Sequence, residues 1–367
     1  MIPLSRPTVT EEMKQAVLAV LDSGRYILAS ETRAFEKEFA DYIGVREAVA
    51  VSTGTAAIQL ALLAIGIRHG DEVLAPSMTA FPTVEGILHA GAVPVLADVD
   101  EYGCIDPEDA ERKVSRRTVG ILPVHLYGGV ADLPALTDLA RRKNLWIVED
   151  CCQAHGAMQG GRKVGSFGRA GCFSFYPSKN LTVLGDGGMV TTDDAPLAAK
   201  VRLLRDHGRS DKHTHVAIGY NLRFNEVQAA IGRRQLAELE DYVARRRAIA
   251  ARYDEAFRGH SGVRIPLERP GTRMAYHLYP LRLADRGARD RLALHLKEDG
   301  IETGLHYPIP NHLQPAMAGQ APAPRLPRAE ALADDELSLP MFPGLTDAGV
   351  DEVIGSVRGF SGAGAGA

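Results

Sequence analysis

Short apolar runs alternate with amphipathic stretches through the first two thirds of the chain. TEEMKQAVLAVLDSG, from Thr10, carries apolar residues at helical spacing and stops at Gly24. AVAVS (48–52) predicts a strand, and TAAIQLALLAIG a helix ending at Gly66. DEVLAPS, VPVLADVD, TVGILPVHLYG and LWIVEDCCQA predict further strands, with FPTVEGILHAG and LPALTDLARRKN as helices among them. Such alternation implies an α/β fold with a mainly parallel sheet covered on both faces. GCFSFYP and GGMVTTDD read as later strands of the same layer. From Asn225 the pattern changes to one long helical stretch, NEVQAAIGRRQLAELEDYVARRRAIAARYDEAFRG. Its arginine run at 245–247 reads as a solvated helix face. Beyond it MAYHLYPLRL predicts a strand, ARDRLALHLKEDG a helix and TGLHYPIP a strand or loop. The expected division is a large α/β domain with an N-terminal arm at 1–235 and a small α+β domain at 236–360. A Pro- and Ala-rich loop occupies 315–330, and the SGAGAGA tail at 361–367 is expected to be disordered.

Composition narrows the classes of partner. A length of 367 residues suits one large domain plus a smaller one, and 45% hydrophobic with 24% charged residues is ordinary for a globular chain. A net charge of -4 gives no reason to expect nucleic acid or an anionic membrane. Cys104, Cys151, Cys152 and Cys172 follow neither a zinc spacing nor a secreted disulfide pattern, which points to the cytoplasm. No signal peptide is read at the N-terminus, and no run reaches the ~18 apolar residues of a membrane span.

The chemistry gathers around FSFYPSKNLTVLGDGG, where Lys179 stands among aromatic and apolar neighbours with no charged residue until Asp186. A lysine in a desolvated pocket is neutral part of the time and can act as a nucleophile; the alternative is an exposed loop lysine. Asp150 ends the strand LWIVED, and ligands gather at the carboxyl ends of such strands. A carboxylate there can pair with the protonated ring nitrogen of pyridoxal phosphate, or can cap a helix. In STGTAAIQLAL, Gly54 and Thr55 open a helix whose free N–H groups suit a phosphate. Simple capping by Ser52 or Thr53 accounts for the same residues. The hydroxyl of Ser174 offers another phosphate contact.

Taken in order, STGTAAIQLAL, GILHAGAVPVLADVD, VEDCCQAHGA, GSFGRAGCFSFYPSKNLTVLGDGG, RDHGR, GYNLRFNEVQAAI and HYPIPNHLQPA resemble the DegT/DnrJ/EryC1/StrS family of sugar aminotransferases. The resemblance covers nearly the whole chain. It implies fold type I, with a seven-stranded sheet, and a pyridoxal 5'-phosphate enzyme passing an amino group from an amino acid, L-glutamate, to a keto-sugar nucleotide. It further implies that Lys179 is the Schiff-base lysine and Asp150 the partner of the pyridine nitrogen. Gln153 then stands near the phenolic oxygen, and Gly54, Thr55 and Ser174 form the phosphate cup. Asn221 reaches the phosphate of a neighbouring subunit, so that a homodimer shares its sites. Arg223 meets an anionic group of the substrate, with a structural ion pair as the alternative, and His306 and Tyr307 lie near the substrate mouth.

PSMTAF departs from the family pattern, placing Ala80 where many members have the aromatic that stacks on the cofactor ring. Phe81, one step later, is the expected stacking residue. Lysine at position 179, rather than the histidine of the family's dehydratases, points to the aminotransferase branch. VEDCCQAHGA and FSFYPSKN resemble members acting at C3. The rival readings are a cyclitol-ketone aminotransferase and a pyridoxal phosphate-binding regulator without turnover. His155 either lines the pocket or caps the following turn. His207, His213 and His215 lack metal-ligand spacing, and no metal site is expected.

Overall fold

Residues 1–319 and 324–360 are described by the structure, a computed structural model. The tail at 361–367 and residues 320–323 of the Pro- and Ala-rich loop lie outside the described residues. After α1 (Glu11–Ser23) and α2 (Ser30–Ile43), the chain alternates through β1 (Glu47–Val51), α3 (Gly54–Ile65), β2 (Glu72–Pro76), α4 (Phe81–His89), β3 (Val93–Ala97), α5 (Pro107–Arg112), β4 (Thr118–Ile121), α6 (Leu133–Lys143) and β5 (Trp146–Asp150). Two short strands, β6 (Met158–Gln159) and β7 (Arg162–Lys163), precede β8 (Ala170–Ser174), β9 (Gly188–Thr192) and α7 (Ala195–Arg205). The main sheet has seven strands in the order β1-β9-β8-β5-β4-β2-β3. β9 runs antiparallel to β1 and β8, and every other pairing is parallel. The strands are apolar nearly throughout because helices cover both faces.

Local chemistry sets the helix ends. Thr10 and Thr53 cap α1 and α3 by accepting the Met13 and Ala56 N–H groups, and Gly24 and Gly66 close them in the left-handed region.

The predicted long helix is two: α8 (Glu226–Ala237) and α9 (Leu239–Phe257), parted at Glu238. α8 packs on α1 and α2, and α9 on α12 (Asp347–Gly359). The C-terminal part adds β10 (Thr272–Arg273), β11 (Tyr279–Arg282), α10 (Arg286–Glu298), α11 (Pro327–Asp335) and β12 (Glu336–Leu339), with β11 and β12 paired antiparallel. TGLHYPIP forms loop rather than strand. The arginine run at 245–247 is not a solvated face. Successive helical residues point about 100° apart, so the middle one turns inward. Arg246, 3% exposed, donates to the carbonyls of Tyr276, His277 and Met341 at 3.1, 3.2 and 2.7 Å. Burial pushes its guanidinium down to about 9.

Beneath the sheet's carboxyl edge lies a second buried charge. Glu149 accepts the N–H groups of Gly165, Phe167 and Gly168 at 2.7–2.8 Å, and His125 Nε2 lies 3.1 Å away. His125 Nδ1 accepts the Ala131 N–H, which leaves the proton on Nε2 to face Glu149. Cys151 completes a His–Glu–Cys group, but the carboxylate is already saturated with donors, and we read the group as structural. Burial raises the Glu149 pKa; the His125 bond and the backbone donors outweigh it, and the carboxyl lies below its ordinary value. A lowered carboxyl pKa stabilises the fold above the unfolded-chain value and loses that stabilisation as pH falls through the folded value. Glu149→Gln is expected to cost about 3–5 kcal/mol at neutral pH. In urea unfolding, the gap between variant and parent should shrink as the medium is acidified below the carboxyl range.

Candidate active site

Asp150 ends β5 and is 3% exposed. The Thr83 hydroxyl, on the first turns of α4, donates to Oδ2 at 2.7 Å, and the Cys152 N–H donates to Oδ1 at 3.0 Å. Thr79 Oγ1 lies 3.0 Å from the Thr83 hydroxyl and extends the chain of contacts. Nothing local in FPTVEG marks Thr83; only packing of α4 across the strand ends reveals it.

The start of α3 packs against Cys152, two residues beyond Asp150. Thr53 does cap the helix, and the cap leaves the N–H groups of Gly54 and Thr55 ahead of the first intrahelical bond. A Cβ at Gly54 would stand 2.7 Å from Ser174 Cβ and 2.9 Å from Cys152 Sγ. Only glycine lets this backbone approach so closely. Capping by Thr53 thus leaves two free N–H groups at the helix start, with Ser174 packed against Gly54.

Lys179 rises from a turn closed by its own N–H on the Tyr176 carbonyl at 2.8 Å. Burial pushes its amine below the ordinary lysine range, and Cys152 and Asp150 oppose that shift through charge. Gln153, 2% exposed, accepts from the Tyr127 N–H and donates to the Tyr307 hydroxyl, both at 2.9 Å. Tyr307 thus joins the group. His306 lies beside it, its imidazole held down to about 4 by burial and then by the charge of Lys179. His155 does not cap a turn: it lies against Phe173 and Phe175, neutral, with burial foremost in depressing it to about 3.

Three expected residues stand differently. Asn221 is exposed, and the backbone bond from Ser52 N–H to the Leu222 carbonyl, 3.1 Å, brings its segment alongside the glycine turn. Arg223 pairs with Asp206 at 3.5 Å. Phe81 is the first residue of α4, half-buried against the main core. β2 ends at Pro76, so strand alternation does not govern which way Phe81 points. A cavity of about 830 Å³, lined among others by Tyr102, Leu126, Arg269 and Arg282, does not include Lys179 in its lining. The ionisable groups gather instead around the lysine, where Cys152, Asp150, His155 and His306 interact with its charge.

What these groups jointly accept is a ligand anionic at one end, carrying a protonated ring nitrogen at the other, with an amine-reactive carbon between. Pyridoxal phosphate has that form, so donor set and close approach at Gly54 both fit it, and the class is the pyridoxal phosphate-dependent aminotransferases. The sequence profile of the DegT/DnrJ/EryC1/StrS aminotransferase family matches residues 7–358, and the chain belongs to that family. It is similar to dTDP-3-amino-3,4,6-trideoxy-alpha-D-glucose transaminase of Streptomyces venezuelae, 45% identical over 349 residues covering 95% of this chain and 91% of that one. UDP-N-acetyl-3-dehydro-alpha-D-glucosamine 3-aminotransferase of Acidithiobacillus ferrooxidans is 41% identical over 349 residues, covering 95% and 93%. The crystal structure of S. venezuelae DesV matches with a TM-score of 0.92 at 45% identity, over 95% of this chain and 93% of that one. The fold is fold type I, as the sequence led us to expect.

Thr83→Val keeps the packing volume but removes a donor from a buried carboxylate. It is expected to weaken pyridoxal phosphate binding by roughly tenfold or more, read by equilibrium dialysis of the apoprotein, and to lower the apoprotein's stability by about 1–3 kcal/mol, read by urea unfolding.

Proposed function

We propose that the protein moves an amino group from L-glutamate to C3 of a keto-sugar nucleotide, with Lys179 as the residue that exchanges amines and carries the proton. The observation behind this is the desolvated Lys179 amine lying within reach of the Asp150 charge. The two relatives whose names place nitrogen at C3 support that position. Bound pyridoxal phosphate supplies an aldehyde that takes up amines and a pyridinium ring that spreads carbanion charge.

Each residue has a separate task in this reading. Asp150, oriented by Thr83 and the Cys152 N–H, holds a proton on the ring nitrogen. The N–H groups of Gly54 and Thr55 and the Ser174 hydroxyl bind phosphate, and Gln153 orients the phenolic oxygen. Phe81 covers the ring. Lys179, neutral part of the time because burial lowers its pKa, is the base that moves the proton. His306 and Tyr307 line the sugar entrance, and Arg223 leaves Asp206 to meet an anionic group.

A homodimer completes the site. Tyr26, Ile27, Tyr176, Val216 and Ile218 leave large apolar side chains exposed, with Ile218 at 95%. Two of these flank the Asn221 segment, which supports Asn221 reaching a second copy's phosphate. No helix among the described residues is long and apolar enough to cross a membrane. The four free cysteines support a reducing, cytoplasmic setting. Residues 1–235 and 236–360 serve as the two domains, with the chain turning at Glu238 just past that boundary.

Absorbance spectra test the reading. The parent should show the visible band of lysine-bound cofactor, convert to the pyridoxamine phosphate spectrum with L-glutamate, and recover the band with a 3-keto-sugar nucleotide. Lys179→Ala should do none of the three. Absence of that band after adding pyridoxal phosphate would sink the proposal, and recovery with scyllo-inosose alone would favour a cyclitol substrate. Shared sites are tested by mixing inactive Lys179→Ala and Asn221→Ala proteins. Hybrid dimers regain one intact site, so activity should return on subunit exchange.

A further inference from the structure

β12 places Glu336 and Ser338 two residues apart, and so on one side of the strand. Both are buried, 1% and 0% exposed. The segment carrying His306 is laid along this strand: Gly304 and Ser338 exchange backbone bonds of 3.1 and 2.8 Å. The His306 N–H donates to Glu336 Oε2 at 2.6 Å, and the Tyr127 hydroxyl donates to the His306 carbonyl. Ser338 Oγ bonds Glu336 Oε1 on one side and lies 3.0 Å from His306 Nδ1 on the other. The ring nitrogen left over is Nε2; the residue as a whole is half-buried, and the charge of Lys179 acts on its imidazole.

A serine has one proton to donate, so this chain has a direction. We propose that Glu336 and Ser338 are positioning residues that select the tautomer of His306, and thereby decide whether Nε2 meets a polar group of the incoming sugar as an acceptor or as a donor. With Glu336 ionised, Ser338 donates to Oε1, His306 Nδ1–H donates to Ser338, and Nε2 is bare. With Glu336 protonated on Oε1, the carboxylic acid donates to Ser338, Ser338 donates to Nδ1, and the ring proton sits on Nε2. The two states differ by one proton. One taken up at Nε2 sends the Nδ1 proton to Ser338 and the serine proton to Glu336, and the imidazole stays neutral throughout.

The surroundings agree with this division. Burial raises Glu336 to about 8, against the Ser338 and His306 bonds and the charge of Arg289, with Asp335 adding to the rise. Tyr127 and Tyr307 also face its charge, and Arg282, bonded to Asp335, faces Tyr127. Lys179 and His277 face the imidazole, which at about 4 does not hold the proton itself. The proton's resting place is therefore the carboxyl.

Only the visitor's identity rests on the aminotransferase reading; the tautomer choice does not. The test is the ring nitrogen spectrum of holoenzyme labelled with ¹⁵N-histidine, with the His306 signals identified by their loss in His306→Gln. In the parent, the proton should shift from Nε2 to Nδ1 in a single step as pH rises through about 8. Glu336→Gln, whose amide donates to Ser338 permanently, should hold Nε2–H at every pH. Ser338→Ala should abolish the step while the protein stays folded. A parent ring that keeps one tautomer across about two pH units either side of that midpoint, or a Glu336→Gln ring that titrates like the parent, would overturn the proposal. Because no sugar is present, failure here and failure to turn over a keto-sugar are separate results.

Discussion

Glu149 and Asp150 stand side by side at the end of β5, and a strand sends neighbouring side chains to opposite faces of the sheet. Two carboxylates so close would repel if they shared a face. Separated by the backbone, each can be given its own donors. Glu149 takes three backbone N–H groups and His125 within the fold. Asp150 takes Thr83 and the Cys152 N–H and keeps lone pairs directed at the site. The first carboxylate is used up by structure, and in the proposed reading the second is the one that serves chemistry. The close approach at Gly54, the lysine turn and Gln153 are all arranged around that second one.

The electrostatic character of the site follows from low solvation rather than from an excess of charge. Lys179 is pushed toward its neutral form, and His155 and His306 are held neutral, all with burial as the foremost cause. The charges that remain are those whose partners the fold supplies. Neutral polar groups then orient a ligand without competing for its protons.

How much of this could be read from the chain depends on whether the signal was local. The seven strands of the main sheet are largely apolar runs of four or five residues, the first five with helices between, and period and turn residues sufficed to find them. Lys179, Asp150, Gly54 and Ser174 lie where strands end, and motif order pointed to them. The turn at Glu238 had no such mark: Ala, Leu and Glu on either side all favour helix. Arg246 was misread because composition cannot say which of three arginines faces inward. Thr83, Ser338 and Glu336 act through contacts 67, 32 and 30 residues away along the chain. No window of sequence contains both partners.

The carbonyls that Arg246 holds belong to residues 30, 31 and 95 positions further along the chain. As a ribosome extends the polypeptide, the seven-stranded layer is complete well before Met341 has been made. Until that residue arrives, the guanidinium lacks its shortest bond and has reason to stay in water, which keeps α9 from settling. The strands of the sheet are thus all synthesised before the residues that hold Arg246. A chain cut short of Met341 therefore lacks the acceptor of the shortest Arg246 bond.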